Sequence, residues 1–97
     1  MTAQNFNSEV HHNPAASRFE LRLGASTAVL EYSLQADTII FTHTGVPSEI
    51  EGCGIGSQLV RAGLEYAREK GLKVVPLCWF VAGFIERHAE YQNLLKN

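Results

Sequence analysis

Backbone donors set among alternating glycines are the first feature of this chain that could do chemistry. Gly52, Gly54 and Gly56 occupy every second position of Glu51-Gly-Cys-Gly-Ile-Gly56, and glycine lets a backbone turn sharply and approach a ligand with no Cβ in the way. The segment leads into a stretch of helical spacing, Ser57 to Lys70. Its free N–H groups therefore meet the positive end of a helix dipole, about half a unit charge, which suits a phosphate or pyrophosphate. The other use of such a loop is a turn that only permits tight helix–sheet packing. Two side chains add reactive groups. Cys78, ending the run Lys73-Val-Val-Pro-Leu-Cys78, could act as a nucleophile in its thiolate form. His43, in Thr38-Ile-Ile-Phe-Thr-His-Thr44, carries an imidazole that could accept a proton. The structural alternatives are a small buried hydrophobe for Cys78 and a hydrogen-bonded surface histidine for His43.

Several chemistries are excluded by what surrounds these residues. A phosphate-binding P-loop needs Lys-Ser/Thr after its last glycine, whereas Ser57-Gln58 follows Gly56. A dinucleotide fingerprint fits Gly52 and Gly54 but needs glycine at Ser57. Cys53 and Cys78 match no metal-ligand spacing, and His11, His12, His43 and His88 form no ligand pattern, so no metal is expected. A net charge of -2 leaves no basic footprint for nucleic acid. No apolar stretch is long enough to cross a membrane, and the first residues carry neither a basic nor an apolar targeting region. A cytoplasmic protein with reduced thiols is the expectation.

The elements that must position the loop, Cys78 and His43 can be read from periodicity. With 97 residues, 45% of them hydrophobic, the chain supports one domain and one modest core. Residues 1–17 are polar and lack periodicity, so they are expected to be a flexible leader, with the domain spanning 18–97. Phe19, Leu21 and Leu23 alternate with charged residues, and Ala28, Leu30, Tyr32 and Leu34 share the face of a second strand. Short turns join these to the β-branched third run, which predicts an antiparallel meander. The helix from Ser57 to Lys70, with Ile55, Leu59, Gly63, Leu64 and Ala67 inward, ends at a C-capping Gly71. A strand from Lys73 to Cys78 follows, parallel to the third, and then a helix over about Val81 to His88. The fold class is thus α/β (α+β): a mixed sheet built as a meander, a βαβ crossover and a C-terminal helix. Pro76 removes a ladder hydrogen bond, so the two parallel strands should part there and leave a cleft at their carboxyl ends.

These residues resemble the GNAT N-acetyltransferases, in the short single-domain branch of that superfamily. The resemblance runs from Arg18 to Tyr91 and is carried by the Glu51–Gly56 loop, by Thr42-His-Thr-Gly-Val-Pro47 and by the Pro-x-Cys end of the strand at Cys78. It implies acetyl-CoA as the cofactor. Its pyrophosphate would lie on the N–H groups of Gly52, Cys53, Gly54, Ile55, Gly56 and Ser57, and its pantetheine would pair with the strand end near Thr44 and Val46. It also implies acetyl transfer to an amine, on a small molecule or a protein, either directly or through an acyl group on Cys78, with His43 as the base. Two positions depart from the family pattern. Glu51 stands where Gln or Arg is usual, and the tyrosine that protonates the departing thiolate in many relatives falls near Ile85. The missing tyrosine, with the short chain's lack of an obvious acceptor-binding domain, keeps open a second reading, a non-catalytic acyl-CoA-binding or interaction module. Glu31 and Glu49 are further candidate bases, His88 and Tyr91 could shape an acceptor pocket, and Trp79 and Phe80 read as core or pocket wall.

Overall fold

The computed structural model describes residues 9–96. Five strands form one sheet in sequence order: β1 (His11–Asn13), β2 (Arg18–Leu23), β3 (Ser26–Gln35), β4 (Thr38–Gly45) and β5 (Lys73–Pro76). The first four pair antiparallel through tight turns, and β4 to β5 is parallel across helix α1 (Ile55–Lys70). Helix α2 (Trp79–Arg87) and a 3-10 turn (Ala89–Leu94) complete the chain. The mixed sheet, meander and crossover are those read from periodicity.

Apolar alternation puts Phe19, Leu21, Ala28, Leu30, Tyr32, Phe41 and Val74 on one face, where all are buried against the inward residues of α1, among them Leu59, Val60 and Leu64. Gly63 makes that approach possible, since a Cβ there would lie 2.9 Å from both Leu30 Cδ2 and Phe41 Cε1. The helix closes as its sequence dictates: the Leu72 N–H bonds Ala67 O at 2.8 Å and the Gly71 N–H bonds Arg68 O at 3.2 Å. The opposite face, with Glu20, Arg22, Glu31 and Ser33, carries no helix among the described residues.

Several boundaries differ from the expected ones, each for a physical reason. The sheet begins inside the segment read as a leader, because His12 pairs with Phe19 and stacks on its ring at 4.2 Å; residues 1–8 of that segment lie outside the described residues. Helix α1 starts at Ile55 rather than Ser57, because Gly54 takes a left-handed conformation (φ 75°) and serves as its N-cap. Strand β5 ends at Pro76 rather than Cys78. Helix α2 begins two residues early, at Trp79, with Cys78 as its N-cap. Leu34 is half exposed although its cross-strand partner Ile39 is buried, since it lies one residue from the end of β3 at the sheet's margin.

Candidate functional site

A bulge and a proline part the two parallel strands. On β4, Phe41 pairs with Tyr32 and His43 with Glu31, which leaves Thr42 as an extra residue whose hydroxyl donates to Glu31 O at 3.3 Å. The bulge keeps Phe41 and Thr44 on the helix-covered face, since Thr44 pairs with buried Leu30. On the other strand, β5 pairing stops at Phe41 opposite Pro76. Leu77 then turns back to bond Val75 O, and the Cys78 N–H makes a last contact with Phe41 O at 3.0 Å. Beyond that point, the β5-facing edge of β4 has no strand partner among the described residues.

Two hollows meet at this opening. One, of about 590 Å³, is bordered by Thr42 to Val46 on β4 and its exit and by Leu77 to Phe80. The other, of about 350 Å³, is bordered by Gly52, Gly54, Ile55, Gly56 and Ser57. Val46, Glu51 and Phe80 border both, so the two form one groove running from the start of α1 to the parted strands. Each lies in the size range of small-molecule sites.

The loop end of the groove supplies backbone donors, with the Glu51 carboxylate on its border. The first helical bond of α1 is Gln58 N to Gly54 O at 3.1 Å, so the N–H groups of Ile55, Gly56 and Ser57 have no partner in the helix. Gly54 has no side chain to cap them and the first turn carries no acid. Gly52 also has positive φ (85°), with nothing within 4 Å of a Cβ position. Gly56 serves packing: a Cβ there would lie 2.9 Å from Phe80 Cζ. The packing use read for the loop thus holds at Gly56, while Gly52 and Gly54 take the positive φ that the turn requires. Cys53 is exposed on the loop and borders neither hollow, while the Ile55 side chain is buried in the core.

At the other end Cys78 is half-buried, its Sγ 3.4 Å from the Thr44 hydroxyl. The sulfur makes no capping hydrogen bond of ordinary length to α2, so the first-turn amides act on it as oriented dipoles. Burial pushes the thiol up, but the Thr44 hydroxyl and the N–H groups of Val81, Phe80 and Thr44 outweigh it and hold Cys78 below the usual thiol range. His43 borders the same cleft from the open face, beside Glu31, with its Nε2 3.2 Å from where a Gly45 Cβ would stand. No hydrogen bond joins His43 to Cys78 among the described residues; they border the cleft from opposite faces of the sheet.

Other residues singled out lie elsewhere. Tyr91 is buried and donates to Glu65 at 2.7 Å while accepting from Arg61 at 3.2 Å, tying the 3-10 turn to α1. His88 stacks on Phe84 at 3.9 Å, with Nδ1 2.8 Å from Phe84 O. Glu49 accepts from Ser26, and Ile85 is buried at the position where a tyrosine was looked for. Trp79 is 83% exposed rather than core. The pairing of Thr44 with Cys78 was not read from the sequence: it depends on the Thr42 bulge, which no turn residue announces.

The family model of the GCN5-related N-acetyl-transferases matches residues 18–94. Proteins named NATD1 are similar along most of the chain. That of Gallus gallus is 30% identical over 89 residues, 89% of this chain and 81% of its own length. Those of Mus musculus and Homo sapiens are each 31% identical over 88 residues, covering 88% of this chain and 80% and 78% of their own. The NMR solution structure of a GCN5-like protein from Staphylococcus aureus matches with a TM-score of 0.69 at 26% identity, covering 92% of this chain and 88% of that one.

Proposed function

Because this chain belongs to the GCN5-related N-acetyltransferase family, we propose that it binds acetyl-CoA in the groove between the start of α1 and the parted ends of β4 and β5, and transfers the acetyl group to an amine. The observation that carries this reading is the groove itself. It joins unpartnered donors at Ile55 to Ser57 with an unpartnered strand edge at Thr44 to Val46, and ends at Cys78. The donor set fits the cofactor at both ends, since helix-terminal amides suit a pyrophosphate and a free strand edge suits the amides of a pantetheine arm.

When bound, acetyl-CoA supplies an acetyl group on a thioester, whose transfer to an amine replaces an N–H bond by N–C and returns a thiol. In this reading the N–H groups of Gly52 to Ser57 hold the phosphates, and the β4 edge aligns the arm. Phe80, packed on Gly56, walls the groove against water. Cys78 would be the acyl acceptor: its thiolate, favoured by Thr44 and the start of α2, would take the acetyl group as CoA leaves as a thiolate to be protonated by solvent, and would be released as thiolate when the amine nitrogen takes the acetyl group. His43 at the cleft rim accepts the proton the amine gives up, directly or through water, and passes it to solvent. This route needs no tyrosine at Ile85. A reducing compartment such as the cytoplasm keeps Cys53 and Cys78 as free thiols.

The test is a heteronuclear NMR titration with acetyl-CoA, with NADH as control. Saturable shifts at residues 44–46, 52–57 and 78 with acetyl-CoA alone are expected; none would overturn the reading. Incubation with acetyl-CoA in the absence of amine should leave an acetyl group on Cys78, visible by peptide mass spectrometry. Turnover on an amine panel with no such adduct and with undiminished activity in Cys78→Ala would replace the relay by direct transfer. Binding with no acetylation of Cys78 or of any amine would favour the non-catalytic module, for which the specific support is that no tyrosine among the described residues borders the groove.

A further inference from the structure

Acetyl transfer needs a place for the second substrate, and the groove accounts only for the first. A separate hollow of about 410 Å³ lies between α2, the end of β5 and the C-terminal segment. It meets the cleft at one residue, Trp79, which borders both. Trp79 follows Cys78 directly, is 83% exposed, and among the described residues has only Phe80, edge-on at 6.2 Å between ring centroids, as an aromatic neighbour. Leu77, on the other side of Cys78, is 69% exposed. An indole and an isobutyl group left in water on either side of a reactive thiol are surface that a ligand would cover.

The walls of this hollow state what it would take. Pro76, Ala82, Ile85 and Leu95 make it largely apolar, and Gly83 on α2 leaves it wide. Glu86 is the one charged residue on the wall, and Arg87 folds back along the same helix so that its Nη1 would stand 3.3 Å from a Cβ at Gly83. Gln92 adds a polar amide, and the remaining wall is apolar, so an apolar body is what the hollow has most surface to cover.

We propose that this hollow is the acceptor subsite and takes the apolar body of a primary amine, with Trp79 as the partition over which the nitrogen reaches the cleft. The inference rests on the acetyl-transfer reading above, and the test separates the two. Trp79 is the only tryptophan in the chain, so its fluorescence reports on the subsite without any need for turnover. In protein saturated with acetyl-CoA, phenethylamine should give a saturable change in Trp79 emission, and ethanolamine, which has no apolar body, should give none. Gly83→Leu narrows the hollow at a position where a new Cβ meets only the flexible tip of Arg87, and it replaces glycine by a better helix former. This variant should bind acetyl-CoA like the wild type but phenethylamine at least tenfold more weakly. No response to phenethylamine, an equal response to ethanolamine, or unchanged amine binding in Gly83→Leu overturns the subsite. If the wild type does not bind acetyl-CoA, the transfer reading fails and takes the subsite with it.

Discussion

A thiol beside a threonine hydroxyl and the start of a helix differs from one in a plain strand, and Cys78 has both neighbours. Its ionised form persists to lower pH than an ordinary thiol, so alkylation of the Cys78 peptide should reach half its maximal rate below the usual value of about 8.5. Thr44→Val removes the direct donor, and mass-resolved labelling should show the midpoint move up. His12 tests the opposite effect. Burial holds its imidazole below the ordinary value, with Nε2 2.7 Å from the Tyr32 hydroxyl, Phe19 stacked at 4.2 Å and the edge of Tyr66 at 4.5 Å. Because the folded value is the lower one, unfolding takes up a proton, and the His12 contribution is complete above about pH 6.5 and lost as pH falls towards the folded value. Amide exchange across His11–Asn13 should accelerate over that acid range, and His12→Phe should flatten the dependence. Nothing local in the sequence marks His12, whose neighbours come from β2, β3 and α1, whereas Cys78 was legible because a proline two residues earlier marks the end of its strand.

At the scale of elements, periodicity carried most of the reading, and local backbone accidents set the rest. The three meander strands, α1 and the parallel fifth strand follow from alternation and helical spacing, since each has one wet and one covered face. The Thr42 bulge was not legible, because it sits inside a β-branched run with no glycine or proline beside it, yet it brings Thr44 to Cys78. The loop glycines were legible as a group but not in their division of labour: Gly52 and Gly54 supply positive φ, and Gly56 makes room for Phe80. Gly56→Ala should therefore cost about 1–3 kcal/mol in urea unfolding, the usual penalty of overpacking. It should also weaken acetyl-CoA binding by pushing Phe80 towards the groove. Phe80→Leu in the same chain should restore much of the stability; equal destabilisation in both backgrounds would mean that the Phe80 contact is not the cause.

At the scale of the described residues together, both helices and the Ala89–Leu94 turn share one core on one side of the five-stranded sheet, and none of these covers the other side. Alternation alone could not tell which of Val74 and Val75 would be covered, nor that Leu77 and Trp79 would stand in water, because that depends on where α2 lands. Among the described residues no helix is long and apolar enough to cross a membrane. A domain this small has modest stability, so a ligand that joins the loop to the β4 edge should act on the fold as a whole. Acetyl-CoA at about a hundred times its dissociation constant stabilises by about 2.7 kcal/mol, which for a domain of this size corresponds to a rise in Tm of roughly 10–20 °C. On the proposed binding mode, in which the phosphates and pantetheine rather than the acetyl carbon engage the loop and the strand edge, CoA without the acetyl group should give much the same rise. If neither raises Tm at saturating concentration, the glycine loop serves packing alone, as Gly56 does against Phe80.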